Sequence, residues 1–549
     1  MAKKVFYDDD ARARVLGGAE ALYNAVKVTM GPLGRNVVIS KGYGGPTVTH
    51  DGVTVAEGVD LPDNDDETLG YKVGAELIKQ AASKMNKAAG DGTTTVTVLT
   101  YTILSEANRL IAAGHNPMEL RRGIEAAGAE VLKSLEKLSE SVEGKKNRIA
   151  EVATISAGDA EIGKLIANVM EKVGAHGVVT VEEGQGLEME SEVVEGFTFD
   201  RGYVSPYMAT DTNRMEAIVK NPAIVITDKK IASVQEFLPI LEKLAQAGKK
   251  DVVLIAEDIE GEALGVLILN KLKGTFNTVG IKAPAFGDRR KDVLNDIAVL
   301  TNATVISEDQ GMSFENVDLD VIGSARKVIV GKDETTIVEG AGSVADVENR
   351  ILQIRTQAKN ATSEYDAEQL EKRAAALGGK VAVIKVGGVS ETEIEEKKFR
   401  VDDAVAATKA ALSEGIVPGG GITLVNLSDK IVIGAADELS AGKQLLKTAL
   451  LRPFYELMHN SGLNPDEWLP QVRKAKQGSG INVNTPEKGV IDMKAAGVVD
   501  PVAVTRQAIA NAVSIAGTAV TMGALVVDIP SEDPPMPAGG GMPGGMGMM

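Results

Sequence analysis

Three short runs carry residues that could handle a phosphate. The first is Gly90-Asp91-Gly92-Thr93-Thr94-Thr95. Its two glycines let backbone approach a ligand closely, and its three hydroxyls stand just before a helical stretch, Val96 to Ala113. The free N–H groups and the dipole of a helix start make an anion site. Asp91 supplies the carboxylate oxygen that a hard cation such as Mg²⁺ prefers. An ordinary loop with a threonine cap has the same composition, so this run alone leaves both readings open. The second run, Thr29-Met30-Gly31-Pro32-Leu33-Gly34, is a glycine turn after a helix, and the third is Gly419-Gly420-Gly421. Asp51, before Gly52, and Asp403 are further carboxylates beside turns or helices, where caps and turns use the same residues. No G-x-x-x-x-G-K-[ST] occurs, so an ATP site here would not be a Walker A loop. There is no cysteine, and His50, His115, His176 and His459 are scattered without paired metal spacing.

The elements that must hold these runs come next. At 549 residues the chain is too long for one core, and two to four domains are expected. Aromatics make up only 3%, so the cores must be aliphatic, which favours helices and buried strands. The N-terminal part reads as helices broken by glycine loops: Ala11–Thr29, Gly74–Ala89 and Val96–Ala113. Between them, strands Val37–Ser40 and Thr47–Thr49 flank a Gly42–Pro46 hairpin. From about Gly196 to Gly379, strands such as Ala223–Thr227 and Asp251–Ala256 alternate with helices Val234–Ala247, Gly261–Leu272 and Arg290–Leu300. That alternation predicts a compact α/β domain inserted into the chain. Ala-rich helical character returns near Arg400 and runs to Val527, so both ends should close one discontinuous domain. Residues 531–549, rich in Pro, Gly and Met, are expected to form a flexible tail.

Charge narrows the partners. A net charge of −18 gives no basic field for nucleic acid and disfavours anionic membrane surfaces. Ile509–Val527 is apolar enough to raise a membrane question. Asn511, Ser514, Thr518 and Thr521 instead predict a buried helix followed by a strand. The first residues lack the apolar stretch of a signal peptide, so a cytoplasmic location is expected. In the insert, Val234, Phe237, Leu238, Leu241 and Leu244 recur at helical spacing, as do Leu264, Ile268 and Leu272. From spacing alone both stripes read as core.

Several longer words carry a resemblance. They are residues 28–37 (Val-Thr-Met-Gly-Pro-Leu-Gly-Arg-Asn-Val), 88–95 (Ala-Ala-Gly-Asp-Gly-Thr-Thr-Thr) and 199–207 (Phe-Asp-Arg-Gly-Tyr-Val-Ser-Pro-Tyr). Residues 282–290 (Lys-Ala-Pro-Ala-Phe-Gly-Asp-Arg-Arg), 400–404 (Arg-Val-Asp-Asp-Ala) and 418–421 (Pro-Gly-Gly-Gly) complete the set. In this order they make the whole chain resemble the group I, bacterial GroEL-type chaperonins. The resemblance implies a multidomain α/β and α chaperonin fold. Residues 1–137 and 414–530 would form a mostly helical equatorial ATPase domain. Residues 138–194 and 382–413 would form a hinged intermediate domain, and 195–381 an α/β apical domain.

The resemblance also assigns residues. Thr29, Met30, Gly31, Pro32 and His50 would lie at the phosphates, with Gly92, Thr93, Thr94 and Thr95 cradling them. Asp91 would hold Mg²⁺, and Thr29 and Thr94 a monovalent cation, expected to be K⁺. Asp51 and Asp403 would orient or activate the attacking water, Asp403 arriving on the intermediate domain. Gly420 and Asp500 would meet the sugar and base side of ATP, with Asn482 and Val483 near adenine. Tyr203, Tyr207, Met208, Leu238, Leu241, Leu264, Ile268 and Leu269 would bind apolar surface of unfolded polypeptides, and aliphatic and Met contacts adapt to many sequences. Gly196, Gly379 and Gly415 would be hinges. Partners would be non-native polypeptides, a small lid co-chaperonin, and further copies in two seven-membered rings.

Some positions depart from the pattern. His50 stands where the family usually has lysine, which predicts a steeper pH dependence of ATP turnover and motivates a rival, a polypeptide-holding chaperone with impaired turnover. Met208 replaces a frequent aromatic, Asn484 a usual alanine, and Val59–Gly70 is longer and more acidic than usual. A conventional ATP-dependent enzyme built on the insert is the other rival. The insert offers no nucleophile or paired acid–base motif to support it.

Overall fold

The computed structural model describes residues 3–40, 46–62, 67–174, 177–184, 186–212, 214–361, 363–434 and 438–529. The expected tail, the Gly42–Gly45 part of the hairpin loop, residues 63–66 of the acidic segment and His176 lie outside them. The chain divides into two compact units, Met1–Glu140 with Ile416–Met549, and Ser141–Gly415.

The first unit is a helical bundle. Its long helices are Asp8–Val26, Tyr71–Ala89, Thr93–Ala112, Pro117–Glu136 and Val502–Val520. Helix Thr93–Ala112 packs against Asp8–Val26, Tyr71–Ala89 and Val502–Val520, and is therefore held on several sides. The core is aliphatic, as the scarcity of aromatics requires: Leu22, Ile78, Met85, Leu99, Ile103, Leu120 and Ile124 are fully buried. Each such side chain contributes about 1.5–3 kcal/mol on leaving water. The first and last described strands form a two-stranded antiparallel sheet, Lys3–Tyr7 against Ala524–Asp528, with Val5 opposite Val526. The Val37–Ile39 and Thr47–Thr49 strands pair antiparallel. The apolar C-terminal run is helix Val502–Val520 followed by that strand, and among the described residues no helix is long and apolar enough to cross a membrane.

The second unit is built on a mixed nine-stranded sheet. Its order is Asn277–Lys282, Asp251–Ala256, Ala223–Ile226, Gly323–Val330, Thr335–Gly340, Glu190–Phe199, Lys380–Val386 and Val178–Glu183, with Ala217–Lys220 also on Gly323–Val330. The parallel strands at one end alternate with helices Val234–Gln246, Gly261–Leu272 and Asp288–Thr301. This is the arrangement that strand–helix alternation demands. The sheet does not stop at Gly196 and Gly379, because Val178–Glu183 and Lys380–Val386 extend it. Two large cores nonetheless form, beside a small cluster of Val338, Val381 and Val383. One gathers residues from Phe197 to Leu377. The other joins helices Lys146–Ala157, Ala160–Val173 and Glu391–Glu414 to the far strands through Ile166, Met170, Ile384 and Val401. Within the first, the fully buried Asp296 carboxylate is held by Arg350 at 2.7 Å and Arg373 at 2.5 Å, tying three helices together.

Candidate nucleotide site and apolar face

Helix Thr93–Ala112 begins without a side-chain cap. Its N-cap is Gly92, at φ +83°, where an L residue is strained and where a Cβ would come within 2.7 Å of Val504 Cγ1 and 2.9 Å of Met85 Cε. The first intrahelical hydrogen bond runs from Val96 N–H to the Gly92 carbonyl at 3.0 Å. The amides of Thr93, Thr94 and Thr95 therefore have no acceptor within the helix, and they concentrate positive potential at its start. A threonine cap, the competing reading of this run, is not what the geometry shows. Asp91 sits immediately before, one oxygen accepting from the Gly92 N–H.

Two neighbouring elements converge on this helix start. The Thr29 and Thr94 hydroxyls are 3.0 Å apart, which brings the Thr29–Pro32 turn against it; Thr29 is buried, Met30 and Gly31 half-buried, and Pro32 exposed. Helix Gly52–Gly58 also docks there, since a Cβ on Gly52 would lie 2.5 Å from Thr94 Oγ1 and 2.8 Å from Thr93 Oγ1. Asp51 caps that short helix. Its Oδ1 accepts from Val53 N–H at 3.2 Å, and its Oδ2 from the Thr54 N–H at 2.8 Å and the Thr54 hydroxyl at 2.6 Å. A carboxylate has about four lone-pair sites, so these three donors leave room to orient one more proton. Half-buried His50 leans over the same turn: a Cβ on Gly34 would meet its Cε1 at 2.8 Å and the Thr29 carbonyl oxygen at 2.4 Å.

Asp500 brings a further segment near Asp91. Asp500 lies in strand Val499–Pro501, paired with Ile416–Pro418, and a Cβ on Gly419 would be 2.8 Å from its Oδ1. Burial, with the nearby negative charge of Asp91, pushes the Asp500 carboxyl up to about 7. Two carboxyl groups crowded in this way suit a divalent cation, which would relieve their repulsion. Among the described residues no three His, Asp or Glu side chains form a metal cage. A Mg²⁺ at Asp91 would thus depend on phosphate oxygens and water for its other ligands, as Mg²⁺ commonly does. Gly420 turns beneath Met493, and Asn482 Oδ1 accepts from Asn484 N–H at 3.0 Å. The side chain of Val483 belongs to the core around Phe454 and Met493, leaving its backbone as the part that could meet a ligand. Sequence reasoning missed Met85, Leu457, Asn460 and Val504, which pack behind the glycines or the turn; no local pattern marks them.

Asp403 lies on helix Glu391–Glu414 of the second unit, half-buried. Its neighbour Asp402 is ion-paired with Arg214. Burial pushes the Asp402 carboxyl up, and the Arg214 guanidinium draws it back. Gly415 ends this helix at φ +82° and is the last residue of the unit. Gly196 and Gly379 are bonded to one another, N–H to carbonyl at 3.1 Å. A Cβ on Gly196 would fall 2.3 Å from Val381 Cγ2, so close packing also favours glycine there.

The eight expected polypeptide-binding residues separate by exposure. Tyr207 at 70%, Leu238 at 41% and Leu269 at 49% are open to solvent, joined by Leu272 at 70%. Leu264 and Ile268 are half-buried against the core. Tyr203, Leu241 and Met208 are buried, which corrects the expectation of surface contact for all three. Leu241 packs with Phe237, Ile240 and Leu244 in the core. Met208 is fully enclosed, its sulfur accepting from Gly280 N–H at 3.1 Å and its carbonyl from Lys271. Tyr203 is pinned by a backbone bridge to Ile281.

A discontinuous helical unit with a glycine-rich helix start, joined to a sheet unit carrying an exposed aliphatic row, defines the chaperonin class. The chain matches the model of the TCP-1/cpn60 chaperonin family over residues 22–530, and it belongs to that family. It is a chaperone of protein folding, from a family of ring-forming ATPases that bind unfolded polypeptides.

Proposed function

We propose that this chain is a group I type chaperonin that captures non-native polypeptides on its apical face and uses ATP to release them into a ring chamber under a small lid co-chaperonin. The observation that carries the ATP half is the uncapped start of helix Thr93–Ala112, set against Asp91, the Thr29 turn and the Gly52 helix. Residues 1–137 and 414–530 serve as the equatorial domain, 138–194 and 382–413 as the intermediate domain, and 195–381 as the apical domain. The two large cores of the second unit support the last division, across which the small Val338, Val381 and Val383 cluster runs. Two stacked seven-membered rings, which the six sequence words support, and a cytoplasmic location complete the reading.

In this reading the amides of Thr93–Thr95 bind phosphate oxygens, Asp91 holds Mg²⁺, and the Thr29 and Thr94 hydroxyls hold K⁺. Mg²⁺, when bound, neutralises the charge that develops on the phosphates. Asp51 and Asp403 orient the attacking water. Because Asp403 is carried by the intermediate domain, hydrolysis waits on domain closure, so a conformational step gates the chemistry. Tyr207, Leu238, Leu264, Ile268, Leu269 and Leu272 offer an adaptable apolar row for clients, with exposed members beside half-buried ones.

The test is refolding of a chemically denatured client. Suppression of its aggregation without nucleotide, followed by recovery of native activity on adding ATP and a co-chaperonin, supports the reading. Capture with no ATP-driven release would instead favour the holding chaperone that His50 motivates. No capture would overturn both, and Leu269→Ser should weaken capture without changing ATP turnover.

A further inference from the structure

Resting on the reading of the Thr29–Pro32 turn as the phosphate side of an ATP site, we propose that Asn460 is the positioning residue that sets this turn. Asn460 is the last residue of helix Arg452–Asn460. Its side-chain amide donates to the Lys27 carbonyl at 2.8 Å and the Met30 carbonyl at 3.0 Å. A primary amide has two N–H donors, and both are spent on the carbonyls that bracket Thr29. The orientation is fixed by chemistry, because the flipped amide would press its oxygen against two carbonyl oxygens.

The same helix face sets the distance as well as the tie. Leu457, three residues earlier and so on the same side of the helix, is a core residue, and its Cδ1 fills the space a Cβ on Gly31 would occupy, 2.1 Å away. Leu457 therefore spaces the turn and Asn460 fastens it. Within the turn, Met30 N–H bonds to Lys27 at 3.2 Å and Arg35 N–H to Val28 at 2.7 Å. These local bonds close the loop on itself, whereas Asn460 joins it to the Phe454–Leu457 core. Asn460 acts through Thr29 and Gly31, and a small displacement of either would be felt strongly at the phosphates.

Three variants test this, each checked for cooperative melting and ring assembly. Asn460→Leu removes both bonds at similar volume. Asn460→Asp places a carboxylate against two carbonyl oxygens. Expected at pH 8 is a fall in kcat/KM for MgATP of about 10-fold for Leu and about 100-fold for Asp. The gap between them should narrow towards pH 5.5, where a protonated Asp can donate one bond. A purely structural role would lower stability without this pH signature. Amide hydrogen exchange over residues 28–35 of the nucleotide-free protein should be faster by about 10-fold in Asn460→Leu, as loss of a local tie requires. Unchanged kcat/KM and unchanged exchange in Asn460→Leu would overturn the proposal. Asp91→Ala, the third variant, separates the two failures. If it retains full turnover the nucleotide-site reading is wrong, and the exchange result alone decides whether Asn460 sets the turn.

Discussion

Thr29 and Thr94 share one hydrogen bond whose direction is fixed. The Thr29 hydroxyl gives its only proton to the Val26 carbonyl at 2.9 Å, so across the 3.0 Å contact Thr94 is the donor. Both oxygens then have lone pairs to offer and no proton, the condition a cation requires. Thr94→Val should lower K⁺-stimulated ATP turnover at least 10-fold and abolish the difference between KCl and choline chloride. Stability should fall by only about 1 kcal/mol, the usual worth of one such bond. Retained K⁺ stimulation would contradict the proposal that these hydroxyls hold a cation.

Gly92→Ala tests the helix start itself. The new methyl would face Val504 and Met85 at under 3 Å, on a backbone at φ +83°. We expect a loss of about 2–3 kcal/mol in urea unfolding of the first unit, from left-handed strain and overpacking together. A neutral result would mean that the Gly90–Thr95 loop is looser than its packing indicates.

Asp500 predicts a pH-dependent stability. Its carboxyl is raised to about 7, so the folded protein holds a proton that the unfolded chain releases near 4. Stability from this group is present below about 4 and is lost as pH rises to 7, where the buried charge appears beside Asp91. Asp500→Asn, neutral throughout, should therefore stabilise the nucleotide-free protein at pH 8 by about 1–3 kcal/mol, after allowance for partial solvent access. The gain should shrink as pH falls below 7 and vanish only below about 4. Thermal melts from about pH 3.5 to 8 check this, and a pH-independent difference would contradict it.

Much of this was legible in the chain because it is local. Gly90–Thr95 announces a helix start through two glycines and three threonines, and the strands at Ala223 and Asp251 announce a buried sheet through unbroken aliphatic runs. Contacts between distant segments were not legible. Asn460 and the Met30 carbonyl are 430 residues apart, and no periodicity links them. The apolar row failed differently. Helix Gly261–Leu272 carries Leu264, Val266, Leu267, Ile268, Leu269 and Leu272 around much of its circumference, so spacing cannot separate the inward Leu267 from the outward Leu269. The resemblance implies polypeptide contact for Met208, Tyr203 and Leu241, and here local packing buries them.

The Arg214–Asp402 pair predicts strong non-additivity. With Asp402 almost enclosed, Arg214→Met strands a buried carboxylate and should cost the second unit about 3–5 kcal/mol, whereas Arg214→Met with Asp402→Leu should cost far less. Denaturant melts of the two variants decide this. Equal losses would show that the carboxylate finds another partner or solvent when the guanidinium is removed.

The most direct test of the account is Mg²⁺-dependent ATP hydrolysis by the purified protein, measured beside Asp403→Ala. Steady turnover in the wild type that collapses in the variant, while nucleotide binding persists, is the predicted result. Turnover that survives Asp403→Ala would contradict the role given to that carboxylate, and absence of turnover in the wild type would contradict ATP-driven release altogether.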